Sequence, residues 1–158
     1  MAGNKPTSVV VIPSWYPPRG GAFFREHSIA LAGAGMDVRV LAGIETGIRD
    51  APVQYLFGSS RARESTPDGI MEYSRMVRRI PLARRTNSLR WVSQVCRLYE
   101  QYAKLHGHPD IIQVHSSIWG GLVAAWINRH FGIPFVITEH RGRFTYNGPE
   151  AKSLFRGW

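Results

Sequence analysis

Cysteine is nearly absent: Cys96 stands alone in 158 residues. An internal disulfide and a thiolate-built metal site are thereby excluded, and reducing surroundings are the simpler expectation. Long apolar runs are missing as well. The first, Val9–Ile12, stops at Pro13; it is too short for a signal-peptide core, and no segment approaches the roughly 18 apolar residues of a membrane span. A soluble, cytoplasmic protein is the expectation. Aspartate is sparse and scattered (Asp37, Asp50, Asp68, Asp110), so no Asp-x-Asp metal motif forms and no divalent metal is expected. There is no G-x-G-x-x-G after the first strand, no G-x-S-x-G elbow and no Walker loop. Gly33-Ala34-Gly35 comes after a helical stretch instead. Internal repeats and low-complexity segments are lacking.

What remains is ordinary globular material, 44% apolar and 20% charged, in a length that suits one domain with a real core. The formal charge is +9, and residues 61–97 carry nine arginines against Glu64, Asp68 and Glu72, a net +6. Such a patch suits an anionic partner: a phospholipid surface, a phosphorylated substrate or nucleic acid. It reads equally as a solvated basic face. Few aromatics interleave it and no recognition motif accompanies it, which argues against nucleic acid. Arg75, Arg78, Arg79, Arg84 and Arg85 are the candidate contacts to an anionic membrane surface.

Short apolar runs alternate with amphipathic ones. Val9–Ile12 reads as a buried strand, Phe23–Leu31 as a helix ended by Gly33 and Gly35, and Val38–Leu41 as the next strand. Residues 44–68 show no clear period and read mostly as loop. Pro67-Asp68-Gly69 is a turn, with a strand over Ile70–Val77 leaving it. Asn87-Ser88 resembles a helix N-cap, and Trp91, Val95, Leu98, Tyr102 and Leu105 recur at helical spacing until Gly107 and Pro109. Ile111–Val114 is a strand, Trp119–His130 a helix ended by Gly132, and Phe135–Thr138 the last clear strand. Strands separated by crossovers rather than two-residue hairpins imply an α/β fold: a Rossmann-like parallel sheet with helices on both faces. Only Met1–Thr7 and Gly148–Trp158 look detachable.

In an open parallel sheet, ligands bind beyond the carboxyl ends of the strands. After the first strand, Gly20 and Gly21 admit close backbone approach and precede a helix whose first amides lack a side-chain cap, a ready anion site. A turn shaped by prolines with Gly as the N-cap is the plainer alternative. After the fourth clear strand stand His115, Ser116 and Ser117; either serine suits a helix cap, and His115 suits a satisfied core position. After the last strand, Glu139, His140, Arg141 and Arg143 gather acid, imidazole and guanidinium groups, a site candidate.

VVVIPSWYPPRGGAFFREHSIALAGAGMDVRVL (Val9–Leu41) resembles the opening of retaining glycosyltransferases of family 4, also called group 1. PDIIQVHSSIWGGLVAAWINRHFGIPFVITEH (Pro109–His140) resembles that family's second N-terminal hallmark. The SWYP and TEH variants are most similar to bacterial members acting on surface polysaccharides. The resemblance implies one half of a GT-B fold, in which this N-terminal, acceptor-side domain faces a C-terminal domain that binds the nucleotide-sugar. It implies sugar transfer with retention to a glycan or lipid-linked acceptor, without metal or cofactor. It maps Gly20 and Gly21 near the donor diphosphate and His140, as the catalytic candidate, near the transferring sugar. His115 and Ser116 would line the pocket, with Glu139 and Arg141 as neighbouring donor- or acceptor-binding candidates. The family's E-x7-E donor motif belongs to the C-terminal domain; Glu64–Glu72 matches it formally but straddles a turn and is read as chance. The 158 residues alone are expected to be inactive, as an excised or truncated half.

Overall fold

The computed structural model describes residues 6–16 and 21–139. Six strands form one sheet: β1 (Ser8–Pro13), β2 (Asp37–Thr46), β3 (Arg63–Ser65), β4 (Met71–Arg78), β5 (Ile111–His115) and β6 (Phe135–Thr138), ordered β3-β4-β2-β1-β5-β6. Four helices connect them: α1 (Ala22–Gly33), α2 (Pro52–Phe57), α3 (Arg84–His106) and α4 (Gly120–Phe131). Five strands run parallel, and this Rossmann-like architecture is the fold class expected from the alternating pattern.

Alternation along β1 divides the core. Val10 and Ile12 join Leu41, Tyr73, Ile112 and Val114 beneath α3 and α4, which supply Trp91, Val95, Tyr99, Val123 and Ile127. Val9 and Val11 face the other way, with Val38, Val40, Ile70, Phe24 of α1 and Tyr16. Both clusters bury side chains on a strand with period two, so β1 reads as a continuous apolar run. Gly43 on β2 is fixed by packing: a Cβ there would lie 2.6 Å from Trp91 Nε1, and that indole donates to the Gly43 carbonyl at 2.9 Å. Cys96 is buried on α3, where desolvation, helped by the charge of Glu100, pushes its thiol up to about 11.

Four sequence expectations change. Residues 44–68 hold more regular structure than expected: β2 continues to Thr46, and α2 and β3 follow. β3 pairs antiparallel with β4 across a hairpin whose connection runs from Thr66 to Ile70. Asp68 and Gly69 both take positive φ (52° and 77°) and Ile70 N–H donates to the Pro67 carbonyl at 3.0 Å, so Asp-Gly is the hairpin turn its composition favours. Asn87 does not cap α3, which begins three residues earlier. Buried in the first turn, it accepts from Ile80 N–H and donates to the Ile80 carbonyl, both at 2.8 Å. Leu105, expected on the apolar stripe, is exposed, while Tyr102 and His106 of the same last turns pack on Tyr73.

Candidate functional site at the sheet switch point

From β1 the chain steps to β2 on one side and returns to β5 on the other, so the strand order reverses at β1. The crevice beyond the carboxyl ends of β1 and β5 is therefore the binding position of this topology. Pro13 pairs with His115, and His115 with Thr138, which sets the residues following these three strands on one ledge.

His115 is fully buried there. Its ring lies 4.5 Å from that of Phe24 and 5.2 Å from that of His27, centroid to centroid. The Ser14 hydroxyl donates to the His115 carbonyl at 2.7 Å, tying the segment after β1 to β5. Gln113, two residues earlier on β5, has its amide nitrogen 2.8 Å from His27 Nε2 and donates to Thr138 Oγ1 at 3.4 Å.

Gly21 is the N-cap of α1, with φ 79° and no side-chain cap. Its carbonyl accepts from Phe24 N–H at 3.0 Å, which seats the phenyl ring against His115. A Cβ at Gly21 would lie 2.7 Å from the Trp15 carbonyl oxygen and 2.9 Å from Phe24 Cδ2. Glycine is thus required here by conformation and by crowding, and as N-cap it offers the first amides of α1 no side-chain acceptor.

Ser116 and Trp119 both adopt positive φ, 78° and 65°, within four residues. Non-glycine residues in this region cost on the order of 1–3 kcal/mol each and collect at binding and catalytic positions. Ser116 N–H donates to the Thr138 carbonyl at 2.9 Å, whereas its hydroxyl is buried without a partner among the described residues. Ser117 does not cap α4; its N–H and hydroxyl donate to Glu139 Oε2 at 2.9 and 2.8 Å. Glu139 thereby clamps the β5 and β6 exits together. The structure brings Gly21, His115, Ser116 and Glu139 onto one edge; Gly20, His140 and Arg141 lie outside the described residues.

The model of the glycosyl transferase 4-like domain matches residues 20–158. The chain belongs to this family. Solved structures that it resembles include two crystal structures of the C-terminal domain of a hydrogenase from Pyrococcus furiosus, each 14% identical to this chain. They reach TM-scores of 0.53 and 0.51, covering 83% and 84% of this chain and 90% and 91% of theirs. That likeness concerns the fold alone. No curated protein matches the chain in sequence.

Elsewhere in the glycosyltransferase domain, the arginine-rich segment divides. Alternation on β4 sends Arg75 toward α3, where it donates to Gln94 at 3.2 Å and Gln101 at 2.8 Å. Arg78 turns to the opposite face and donates to the Tyr55 carbonyl (2.6 Å), the Gly58 carbonyl (2.5 Å) and Ser60 Oγ (2.6 Å). Both are half-buried and engaged by the protein, a correction to their expected role as surface contacts. Arg79, Arg84 and Arg85 are exposed. Arg79 and Arg84 line a cleft of about 520 Å³ beyond the carboxyl ends of β2 and β4, together with Arg49, Asp50, Ile48 and Leu82.

One buried group escaped the sequence reading. Glu72 on β4 accepts from the Tyr16 hydroxyl and, at 3.2 Å, from Arg25 Nε. Burial first, then the bond to Glu72, raises the Tyr16 phenol far above its usual range. Three elements remote in sequence are thereby joined behind the Gly21 turn. Glu64 pairs with Tyr73, Glu72 with Ser65, so the two glutamates of the formal E-x7-E point to opposite faces of the sheet. Among the described residues no group of three or more His, Cys, Asp or Glu stands ready for a metal ion, and no helix is long and apolar enough to cross a membrane.

Proposed function

We propose that this glycosyl transferase 4-like domain is the acceptor-side half of a GT-B enzyme that moves a hexose from a nucleotide-sugar, with retention and without a metal. The acceptor is a glycan or lipid-linked saccharide of cell-surface polysaccharide synthesis, met at the cytoplasmic face of a membrane. A second domain binds most of the donor. The observation that carries this reading is the convergence at the switch point. A helix start with a glycine N-cap, a buried imidazole and a strained serine whose hydroxyl has no partner among the described residues share one ledge. Amides at a helix start suit the donor diphosphate, whose charge grows on the leaving group as the sugar departs. Ser116 offers one more donor to the same ligand. His115, packed edge-on by His27 and at a tilt by Phe24, shapes the wall, and His140, which follows β6 in sequence, contacts the transferring sugar.

The test uses the two-domain enzyme and a soluble acceptor. His140→Ala and Ser116→Ala are expected to lower kcat while the fold, followed by circular dichroism, is retained; unchanged turnover in both variants would remove this edge from catalysis. The 158-residue chain alone is expected to transfer no sugar.

A further inference from the structure

Helix α2, with sequence PVQYLF, has no buried residue. Val53, Leu56 and Phe57 are 66, 58 and 83% exposed. An apolar helix with no buried residue gains little from burial, and one of six residues does not persist by propensity. It is held from outside. Pro52 starts it, and the Arg78 guanidinium takes the Tyr55 and Gly58 carbonyls at its end, where orphan carbonyls need donors.

Beside it, residues 79–83 form a loop whose base is gripped by the paired Asn87–Ile80 hydrogen bonds. At its tip Leu82 is 104% exposed and adopts φ 60°. The protein thus invests fixed backbone geometry in presenting a leucine to solvent. Leu82 lines the β2/β4 cleft together with Arg49, Arg79 and Arg84, and α2 begins three residues after Arg49. Asp50 is the one acidic residue lining the cleft.

We propose that α2 and the Leu82 tip insert into an anionic bilayer surface, with Arg49, Arg79, Arg84 and Arg85 as the fringe that meets lipid headgroups. This rests on the reading of a domain that works at a membrane, and supplies that reading with an anchor of a different kind: apolar insertion, with arginine as its complement. Stable attachment to a membrane takes two signals, buried apolar surface and electrostatic attraction, and this rim holds both. A second copy of the chain would set arginines against arginines across a two-fold axis, which disfavours a dimer here. With the rim on the bilayer, the carboxyl edge of the sheet faces the membrane, so an acceptor carried by lipid arrives at the edge that bears the switch-point ledge.

Sedimentation of the chain with vesicles tests this, using phosphatidylcholine alone and phosphatidylcholine mixed with phosphatidylglycerol. Strong binding to the anionic vesicles, weakened by salt, is expected. Leu82→Ser with Phe57→Ser is expected to cut the partition coefficient at least tenfold with the arginines intact, and Arg84→Gln about fivefold, the equivalent of about 1 kcal/mol per basic residue. Insertion is read separately: Leu82→Cys in a Cys96→Ala background, labelled with an environment-sensitive dye, should shift to the blue on anionic vesicles. A dye that stays in water, or unaltered binding by the double serine variant, overturns insertion. Absence of vesicle binding together with concentration-dependent dimerisation assigns the patch to a second copy and overturns the proposal outright. Sugar transfer to a soluble acceptor is independent of each of these outcomes, so the anchor and the enzymatic reading fail separately.

Discussion

Over β1 and β5 the carboxyl edge of the sheet is dry and tightly constrained, whereas over β2 and β4 the same edge is wet, basic and apolar at once. At the switch point His115 and Ser116 are fully buried, Gly21 admits no Cβ, and two residues hold positive φ. At the rim the apolar groups and the four arginines Arg49, Arg79, Arg84 and Arg85 are exposed. One sheet edge therefore does two jobs by two kinds of design: at one end position is fixed by crowding, at the other affinity is built from exposure. Substitutions should respond accordingly, costing stability at the first and surface binding at the second.

The sharpest break comes at Gly21. Gly21→Ala must add a methyl within 2.7 Å of a carbonyl oxygen at a φ that disfavours side chains, and a loss of roughly 2–4 kcal/mol is expected in denaturant unfolding. A loss below 1 kcal/mol would mean that the ledge tolerates relaxation. At the rim, Arg78 and Arg84 separate structural from surface arginine. Arg78→Gln strips charge-assisted bonds from two carbonyls and should cost about 1–2 kcal/mol, releasing α2. Arg84→Gln should leave stability within about 0.5 kcal/mol.

Alkaline titration probes the network behind Gly21. The folded pKa of Tyr16 is raised, by burial first and then the bond to Glu72; that of Tyr99 is raised to about 12, by burial first and then the neighbouring Tyr102. A phenol raised above its unfolded value of about 10 contributes stability that is fully present below about pH 10 and lost as pH climbs toward the folded pKa. The melting temperature should fall over that window, and the gap between Tyr16→Phe and the wild type should close there. A gap that is constant with pH would count against the Tyr16–Glu72 bond. Smallest of all, Ser116→Gly should change stability by no more than about 1 kcal/mol, since relief of backbone strain offsets the added chain entropy of glycine. If the ledge binds ligand as proposed, the same change should lower sugar transfer by the two-domain enzyme, so activity and stability part company at this residue.

Apolar runs are legible where burial on both faces of a parallel strand leaves few polar positions; β1 is readable for that reason, and α1 from its flanking glycines. The charge of the arginine segment is legible too, but its division is not. Whether Arg75 and Arg78 meet solvent depends on which face of β4 they take and on what α2 and α3 bring there. Asp68-Gly69 carried a hairpin signal, yet the three-residue β3 is too short and polar to announce the strand before the turn. Asn87-Ser88 looked like a cap because capping residues are recognised by type, whereas Asn87 serves the loop before the helix. Glu72 gave no sign at all: a buried carboxylate is made possible by Tyr16 and Arg25, 56 and 47 residues away. At the site, the sequence places polar residues after the right strands, but the strain at Ser116 and the crowding at Gly21 exist only once the strands are paired.

The solitary thiol of Cys96 offers a clock. It is buried on α3, the helix whose first turn bears Arg84 and Arg85, and its raised pKa keeps it protonated and slow to react near neutrality. With no second cysteine in the chain, alkylation has one site and one rate, and that rate counts the openings that lift α3 from the sheet. A ligand or surface that engages the start of the helix in its native position must slow the clock at its middle, in proportion to how tightly it binds.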